Sequence, residues 1–502
     1  MRDTTFLKAN IAFLCILIFL AHSRSAAAQA SVVQNPQVAG ALKVLDSWIE
    51  ATRVERDDPG LSIAVVYDQN VIWEKAYGFA NLQQRLPSTT STRYRLASLS
   101  KLFTATAIVQ LRDAGKLELD DPVHKYLQWF AVTQPAGSIP ITIRQLLTHT
   151  SGLSRDLDVP MWNELEFPTR EEMVRLIPEQ QAVFPPDTQY KYSNLAVAIA
   201  GEVVAAVSGE PYERYVREHI LDPLGMQATL VVPSRSTPHL ATGYRKRVPG
   251  EPREPEDFID FGGYTPAAGF VSSVDDLAKF VELQFRDGKP GGSQILSGPS
   301  LHEMQRVQWI HPDWQSSEGL IFELRRVGQI VHVGKGGTCP GYRSQIEMLP
   351  SQKLGVIVLA NGYDTEVLSY ANQILAVLYP AIGKAVEKTK PQPAADPSWS
   401  KYVGTYSWKH VDTEILIVDG QLTMISPDAD NAWESRVKLT PVGPDIFRQN
   451  GGANNGELIK FDLDGNGIAT RFWSGTYYKL RKKTAEQSTN KNSTKAELRG
   501  AQ

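Results

Sequence analysis

The sequence predicts an α+β fold in which strands from both ends of a long region form one antiparallel sheet, flanked by helices and with a helical block inserted between them. Two strand patterns near the start, 61–67 and 71–77, are joined by a short turn and predict a hairpin. Ala-rich helical patterns follow, and strand patterns then return. Beyond residue 400, short strands at fairly regular spacing predict a second domain, a small all-β barrel. The returning strands of the sheet are predicted at 329–333, 342–349 and 354–360.

Helices are predicted from apolar spacing and from end signals. Val38, Leu42, Leu45 and Ile49 recur at helical spacing and predict a helix over 36–56. Two segments are predicted to be loops, 117–123 and 221–226, and the segment 233–265, rich in Pro, Gly and charge, is predicted to lie on the surface. One further helix is predicted to begin at Ser98, and others are predicted over 141–149, 195–207 and 368–379. Another is predicted to follow an N-terminal cap at 272–277.

Composition divides the chain into successive regions. The main domain is predicted over 31–383, a Lys-, Pro- and Ala-rich linker over 384–399, the barrel over 400–482 and a polar, disordered tail over 483–502. The tail contains a glycosylation sequon at Asn492. The barrel strands are predicted at 402–406, 414–418, 422–425, 459–463 and 470–473.

The first thirty residues are predicted to be an export signal and not part of the fold. Arg2 and Lys8 precede an apolar run over 11–20, and small residues over 26–30 offer a cleavage site. The run is too short to span a bilayer comfortably, and the sequence contains no other long apolar stretch. We therefore expect a secreted or periplasmic protein with no stable membrane span after signal removal.

The charge and cysteine content exclude several classes of protein. The formal net charge is −3 and is spread without blocks, so nucleic acid is not an expected partner. Cys15 would leave with the signal and strand Cys339, which excludes a disulfide or a cysteine metal cluster in the mature chain. The residues from Asp462 to Gly467 open like a calcium loop, but Trp473 replaces the acid required later, so a hairpin turn explains them better.

The stretch around Ser98 carries the first chemical motif, S-x-x-K, ending at Lys101. If Ser98 begins a helix, Lys101 lies one turn on and on the same face. A serine hydroxyl is a poor nucleophile until a base takes its proton, and a partly buried lysine with a lowered pKa can be that base. The alternative is a serine-capped helix whose lysine only extends to solvent.

Two further motifs occur downstream. Tyr192 and Asn194 lie just before a predicted helix, as Y-x-N, and Lys335 and Gly337 lie near a strand end, as K-x-G, followed by Thr338. A phenol near ammonium groups loses its proton more easily than a free tyrosine and can then transfer one. Small residues at a strand edge allow a substrate backbone to lie close.

These three motifs, in this order, resemble those of the serine β-lactamase and penicillin-binding-protein superfamily. The chain looks closest to the class C β-lactamase-related branch, which includes D-aminopeptidases and family VIII carboxylesterases. The segments 141–153, 223–226 and 267–273 are also similar to that branch. The resemblance covers about residues 36–380, and 400–482 is similar to the lipocalin-like barrel often appended to such enzymes.

The resemblance implies that Ser98 is the nucleophile and becomes acylated. It also implies that Lys101 and Tyr192 share the proton transfers, without deciding which of them takes the serine proton. The implied oxyanion hole consists of the backbone N–H groups of Ser98 and Thr338. No metal and no organic cofactor is implied.

The same resemblance implies that Asn194 orients a substrate amide and that Lys335 attracts a substrate carboxylate, beside the strand edge at Gly337 and Thr338. Relatives often carry His at the first position of the third motif, which leaves His332 as a second candidate; the spacing to the following Pro-Gly-Tyr favours Lys335. We expect His332 to be an ordinary strand residue. Structural roles are the simpler expectation for Cys339 and His149. Ser100 and Ser193 lie inside the motifs, and the sequence leaves open whether either relays a proton or only packs.

The predicted activity is that of an exported serine hydrolase that cleaves a small ester, a D-amino-acid peptide or a β-lactam through a Ser98 acyl-enzyme. Esters and peptides rank above β-lactams, because the appended barrel looks unlike a dedicated β-lactamase. The alternative is a catalytically silent protein that binds a peptide or a cell-wall fragment on the same fold. The barrel's resemblance alone also allows a lipid-handling accessory protein. The sequence predicts no oligomeric state.

Overall fold

The computed structural model describes residues 32, 34–288, 291, 293–389, 396–409, 411–418, 420–427 and 436–482. The predicted export signal, with Cys15, and the predicted tail, with Asn492, lie outside the described residues. Contacts divide the chain into two compact units, 1–386 and 387–502. Within the described part of the chain, no single helix is long and apolar enough to cross a membrane, and only one bent pair, Asn194–Ser208 with Tyr212–Leu224, meets that test jointly.

The first unit is built on a sheet of nine strands, in which all neighbours pair antiparallel. The strands are β1 Gly60–Tyr67, β2 Asn70–Asn81, β3 Leu86–Pro87, β6 Trp309–Ile310, β7 Ser316–Glu318, β8 Glu323–Val327, β9 Ile330–Cys339, β10 Tyr342–Leu349 and β11 Leu354–Ala360; β4 Tyr94–Arg95 and β5 Val271–Ser272 form a separate pair. The strand order in the sheet is β3-β2-β1-β11-β10-β9-β8-β7-β6, so the predicted hairpin of β1 and β2 forms one side and β11, β10 and β9 continue from it.

Helices cover both faces of this sheet. The α-helices of the first unit are α1 Pro36–Arg56, α2 Ser100–Asp113, α3 Ile143–Leu147, α4 Met161–Glu164, α5 Arg170–Leu176, α6 Asn194–Ser208, α7 Tyr212–Val216, α8 Asp222–Leu224, α9 Thr265–Ala268, α10 Val274–Gln284, α11 Gly298–Gln305 and α12 Val367–Thr389. Because side chains alternate along a strand, β1 contributes Ile63 and Val65 to a core shared with α1 and α12, and Ala64 and Val66 to the core on the opposite face. That second, larger core holds the inserted helices, including the buried α2 and α6.

Five predictions for the first unit were wrong. The strand predicted at 329–333 continues to Cys339, so the K-x-G motif lies inside β9. The segment 221–226 is not a loop: a run of helix from Tyr212 continues through Leu224, because Leu221 and Leu224 are buried, and it ends at Gly225 with φ +70°. The closing helix does not end at 379 but contains Pro380 and extends to Thr389, into the residues assigned to the linker, where Ala, Lys and Glu favour helix. The segment 233–265 is only partly on the surface, because Tyr244 and Ile259 are buried. Ser98 precedes α2 and does not begin it.

The second unit contains a closed antiparallel barrel of eight strands. Tyr406, Phe461 and Phe472 fill its interior with other aromatic and aliphatic side chains. Asp464 accepts hydrogen bonds from the backbone of Asn466 and Ile468, so the calcium-like sequence forms a turn between two paired strands. The strands are β12 Gly404–Trp408, β13 Val411–Val418, β14 Gln421–Ile425, β15 Val437–Gly443, β16 Ile446–Asn450, β17 Leu458–Leu463, β18 Ala469–Ser474 and β19 Tyr477–Arg481.

Candidate active site

Ser98 lies in a tight turn between β4 and α2. The turn is a single stretch of 3₁₀-helix, Ala97–Leu99, and Ala97 has a left-handed backbone with φ +47°. A left-handed non-glycine residue costs on the order of 1 kcal/mol and persists only where surrounding packing enforces it. Ala97 and Leu99 are fully buried, whereas Ser98 is only partly buried. The turn therefore presents the Ser98 hydroxyl toward the site while its neighbours anchor it in the core.

Lys101 is fully buried one helical turn after Ser98. Its Nζ lies 3.1 Å from Ser98 Oγ, 2.9 Å from Asn194 Oδ1 and 2.7 Å from the Ala267 carbonyl oxygen. An ammonium here donates to all three oxygens. A neutral amine donates to two of them and accepts the Ser98 hydroxyl proton through its lone pair. None of these contacts is a carboxylate, so the amine is held by neutral groups.

Tyr192 supplies the shortest contact to the candidate nucleophile, with 2.6 Å between its Oη and Ser98 Oγ. Three cationic side chains lie near its ring. The ring centroid is 5.2 Å from Lys101 Nζ and 5.1 Å from both Lys335 Nζ and Arg155 Cζ. The residue before α6, Ser193, caps that helix through a hydrogen bond from the backbone N–H of Ala196. The cap fixes the chain direction that brings Tyr192 to Ser98.

Asn194 is the first residue of α6, and both ends of its amide are engaged. Its Oδ1 accepts from Lys101, and its Nδ2 donates to Asp156 Oδ1 at 2.9 Å. Asp156 also lies 3.5 Å from Arg155. The amide thus links the buried lysine to a carboxylate, and the predicted contact to a substrate amide would have to be made by exchange of one of these bonds.

Strand β9 passes directly beside the Ser98 turn at Gly337. A Cβ at this position would lie 2.1 Å from the Leu96 carbonyl oxygen and 3.1 Å from the Ser98 backbone nitrogen, so only glycine fits. Ser344 on β10 donates to the same Leu96 oxygen at 2.7 Å. The two backbone groups assigned to the oxyanion hole, those of Ser98 and Thr338, therefore belong to a turn and a strand that approach each other closely.

The edge of β9 that faces away from β10 has no strand partner beyond Gly334, within the described residues, because the β8 ladder ends with Glu323 opposite Gly334. The Thr338 side chain is exposed, and its Oγ1 accepts from Arg343 Nη1 at 2.9 Å across the β10 ladder. A free strand edge beside a nucleophile can hydrogen-bond an extended substrate backbone.

Burial and charge shift the pKa values of the three central groups. Burial would raise the pKa of the Tyr192 phenol, but the ammonium groups of Lys101 and Lys335 and the Ser98 hydrogen bond lower it overall. Burial lowers the pKa of Lys101, and Lys335 contributes in the same direction. Burial opposes the charge on Lys335 as well, but Glu323, with an oxygen 2.7 Å from Lys335 Nζ, raises the pKa of that lysine. Lys335 is thus a permanent cation, whereas Lys101 and Tyr192 are both poised for proton transfer.

The structure also places the other residues that were considered near the motifs. His149 packs against the Tyr192 ring at 4.4 Å between ring centroids, and its Nδ1 accepts from the Ser193 backbone N–H. Ser100 accepts from the backbone N–H of Phe270. Cys339 is buried, which raises the pKa of its thiol to about 12, and His332 bonds Glu347 at 3.1 Å away from Ser98 and its partners. These contacts are structural.

Three charged residues of the site were not found from the sequence: Arg155, Asp156 and Glu323. Asp156 lies in an irregular segment without a periodic pattern. Glu323 alternates with the buried Phe322 and Leu324, a strand signal that was present but was not used. Among the described residues, Glu210, Glu218 and His219 hold ligand atoms within 4.8 Å of one another, but none of them contacts Ser98 or its partners.

The sheet flanked by helices, with a serine turn beside a free strand edge, defines the β-lactamase and transpeptidase class of fold. The sequence profile of the Beta-lactamase family matches residues 45–378, and the chain belongs to this family. The protein flp of Staphylococcus aureus strain MW2 is 26% identical over 328 residues, 63% of this chain and 62% of that protein. The alignment thus spans less than two thirds of this relative's length.

Solved structures carry the same fold. The octameric penicillin-binding protein homologue of Pyrococcus abyssi is similar with a TM-score of 0.60 and 27% identity, over 88% of this chain and all of that one. A class C β-lactamase is similar with a TM-score of 0.59 and 22% identity, over 68% of this chain and 98% of that one. Members of this family are hydrolases, which agrees with the predicted class of fold and enzyme.

Proposed function

We propose that this chain is an exported serine hydrolase that cleaves an ester or amide bond through a covalent Ser98 acyl-enzyme. The observation that carries the proposal is the position of Ser98 Oγ, within hydrogen-bond distance of both Tyr192 Oη and Lys101 Nζ. A hydroxyl with two adjacent proton acceptors of lowered pKa is an activated nucleophile. Small esters and D-amino-acid peptides are the preferred substrate classes over β-lactams.

Acylation begins when Tyr192, as phenolate, takes the proton of Ser98. The 2.6 Å contact and the neighbouring ammonium groups favour Tyr192 over Lys101 as the direct base. Ser98 Oγ bonds to the substrate carbonyl carbon, and negative charge develops on the carbonyl oxygen. The backbone N–H groups of Ser98 and Thr338 stabilise that charge, and one such donor contributes about 3 kcal/mol in comparable enzymes.

The intermediate then collapses with loss of the leaving group. The bond from the carbonyl carbon to the leaving oxygen or nitrogen breaks, and the phenolic proton of Tyr192 passes to the departing atom. In the second half, Tyr192 takes a proton from water as the water oxygen attacks the acyl carbon. The bond to Ser98 Oγ breaks, the acid departs, and the proton returns to Ser98. Lys101 holds the phenolate and the hydroxyl in place throughout.

The decisive experiment is turnover of p-nitrophenyl esters and D-amino-acid p-nitroanilides by the purified protein and by the Ser98→Ala variant. The proposal predicts turnover by the wild type and a loss of about a thousandfold or more in the variant. Ser91→Ala, an exposed serine upstream, is the matched control and should retain activity. Binding without turnover on both panels would contradict the proposal and favour a silent binding protein.

Export is a separate part of the proposal, supported by the basic, apolar and small-residue sequence of the first thirty residues. Expression of the full chain in a bacterial host followed by N-terminal sequencing should find a mature terminus near residue 29 or 31 in the periplasm or medium. A cell-retained protein with an intact first thirty residues would contradict it.

A further inference from the structure

The ammonium of Lys335 is already neutralised by a carboxylate of this chain. Lys335 is 1% exposed, and its Nζ lies 2.7 Å from Glu323 Oε1. Glu323 ends the β8 ladder, directly opposite Gly334, and its side chain is 45% exposed. The carboxylate therefore lies between the buried lysine and solvent, at the point where the free edge of β9 begins.

A second acid, Glu318, lies at this end of the edge. Glu318 lies directly opposite Glu323 in the β7–β8 ladder, an arrangement that like charges disfavour without a cation nearby. Glu318 is buried, one of its oxygens contacts His311 at 3.1 Å, and the other has no hydrogen-bond partner. The charges of both Glu318 and Glu323 act on Lys335. Glu323 is therefore the acid that pairs with Lys335, and Glu318 adds negative charge where it is ionised.

Among the described residues, the other cation at this edge is Arg343, whose guanidinium donates to the Thr338 hydroxyl and to the Tyr363 carbonyl oxygen. Gly336 and Gly337 have no side chains, and the Thr338 hydroxyl is engaged with Arg343. Arg155, with its Cζ 5.1 Å from the centroid of the Tyr192 ring, lies 3.5 Å from Asp156. A carboxylate placed beside Lys335 would meet an ammonium that Glu323 already neutralises, and it would approach the Glu323 carboxylate.

We propose that Glu323 is a specificity-determining residue, which makes the site select substrates that are neutral or cationic beside the scissile bond and reject those that carry a carboxylate there. The inference rests on the proposed hydrolase function and names the substrate class of that same site. Esters without charged groups and compounds with an ammonium on the leaving group fit it. Peptides with a free carboxylate next to the cleaved bond, and β-lactams with their ring carboxylate, do not.

The test uses three butyrate esters that differ only in the leaving group: phenyl, 3-carboxyphenyl and 3-(trimethylammonio)phenyl. For the wild type, kcat/KM for the carboxyphenyl ester should be lower than for the phenyl ester by about tenfold or more, and the cationic ester should be at least as good as the phenyl ester. In Glu323→Gln the ratio of carboxyphenyl to phenyl ester should rise by about tenfold. Glu55→Gln removes an exposed acid from α1, on the other face of the sheet, and should leave the ratio at the wild-type value.

Binding gives an independent measurement. Phenylboronic acid and 3-carboxyphenylboronic acid form reversible adducts with an active serine, and the wild type should bind the uncharged boronate more tightly by about tenfold. Glu323→Gln should abolish that preference. A wild type that prefers the carboxylate-bearing ester or boronate, or a folded Glu323→Gln variant with unchanged ratios, would overturn the inference and leave the hydrolase function standing. No turnover of any of the three esters would overturn both.

Discussion

At the scale of single residues, the proposed proton transfers depend on the two ammonium groups of Lys101 and Lys335 and on the Tyr192 phenol beside them. Lys101 is held by neutral acceptors, and Lys335 is held by Glu323. Tyr192 lies between them and contacts Ser98 at 2.6 Å. Loss of the phenol proton creates a negative charge near two ammonium groups, which stabilise it. Tyr192 is therefore the group of the three that releases its proton most easily.

Tyr192→Phe tests that assignment. Removing the hydroxyl should lower kcat/KM by about a hundredfold or more, because it removes the direct proton acceptor. In the wild type, kcat/KM should rise with pH through the lowered pKa of the phenol, below its ordinary value near 10, and the variant should lose this rise. Tyr190→Phe is the matched control, and activity within about threefold of wild type is expected. A Tyr192→Phe variant with wild-type rate and pH profile would assign the base to Lys101 instead.

Glu318 predicts a pH dependence of stability. Burial raises the pKa of its carboxyl to about 7, whereas in the unfolded chain it is near 4.5. The folded state thus binds the proton more tightly, so this stabilisation is fully present below about pH 4.5 and is lost as pH rises through about 7. The full effect is on the order of 3 kcal/mol.

The side chain of the Glu318→Gln variant cannot ionise. The variant's free energy of unfolding should therefore not decrease from this cause as pH rises through about 7. Relative to wild type, the variant should therefore be more stable at about pH 8 than at about pH 5, measured by urea unfolding at both values. The nearby Lys335, Glu323 and His311 remain in both proteins. A stability difference that is independent of pH, or one that favours wild type at the higher pH, would show that Glu318 ionises freely.

At the scale of elements, the site exists because β9 packs against the Ser98 turn. Gly337→Ala would put a Cβ 2.1 Å from a backbone oxygen, which cannot move without shifting the turn. We expect an activity loss of about a hundredfold and a destabilisation of about 1–3 kcal/mol. Gly336→Ala is the control: its Cβ would meet only the Gln345 side-chain oxygen, at 2.9 Å, and that side chain can move. Equal effects of the two substitutions, in ester turnover and thermal unfolding, would contradict the packing argument.

Elements with a strong apolar period were predictable from the sequence, and short ones were not. Helix α1 and the strands β1, β10 and β11 lie where the pattern indicates, because each has one or both faces buried. The predicted residues 98, 101, 192 and 194 meet through side-chain contacts, and 335 and 337 border them. The strands β6 and β7 were missed because they are too short to show a period, and β19 because exposed residues dilute its alternation. The barrel strands β15 and β16 do alternate between buried and exposed residues, but this signal was not used.

The charge balance around Lys335 could not be predicted from the motifs. The K-x-G pattern specifies a lysine on a strand, but its partner Glu323 comes from a neighbouring strand whose register only the folded sheet defines. The link from Lys101 through Asn194 to Asp156 likewise joins three distant parts of the chain. Local patterns predicted the candidate groups that the fold brings together, whereas tertiary structure determines what each group is paired with.

At the scale of the whole molecule, the chain consists of two units with separate hydrophobic cores. Because each core is closed within its own unit, the two should unfold as separate cooperative transitions. Differential scanning calorimetry of the purified chain should resolve two components. Saturation with a boronate bound at Ser98 should raise the midpoint of only one component, that of the larger unit. A single transition that shifts as a whole would contradict independent unfolding.

The central claim is that Ser98 forms a covalent acyl-enzyme. Intact-protein and peptide mass spectrometry after brief reaction with a fluorophosphonate, or with a slowly released ester at low pH, tests it most directly. The account predicts a single stoichiometric adduct on the peptide that contains Ser98, and none in Ser98→Ala. An adduct on another residue, or ester turnover by wild type with no label at Ser98, would contradict it.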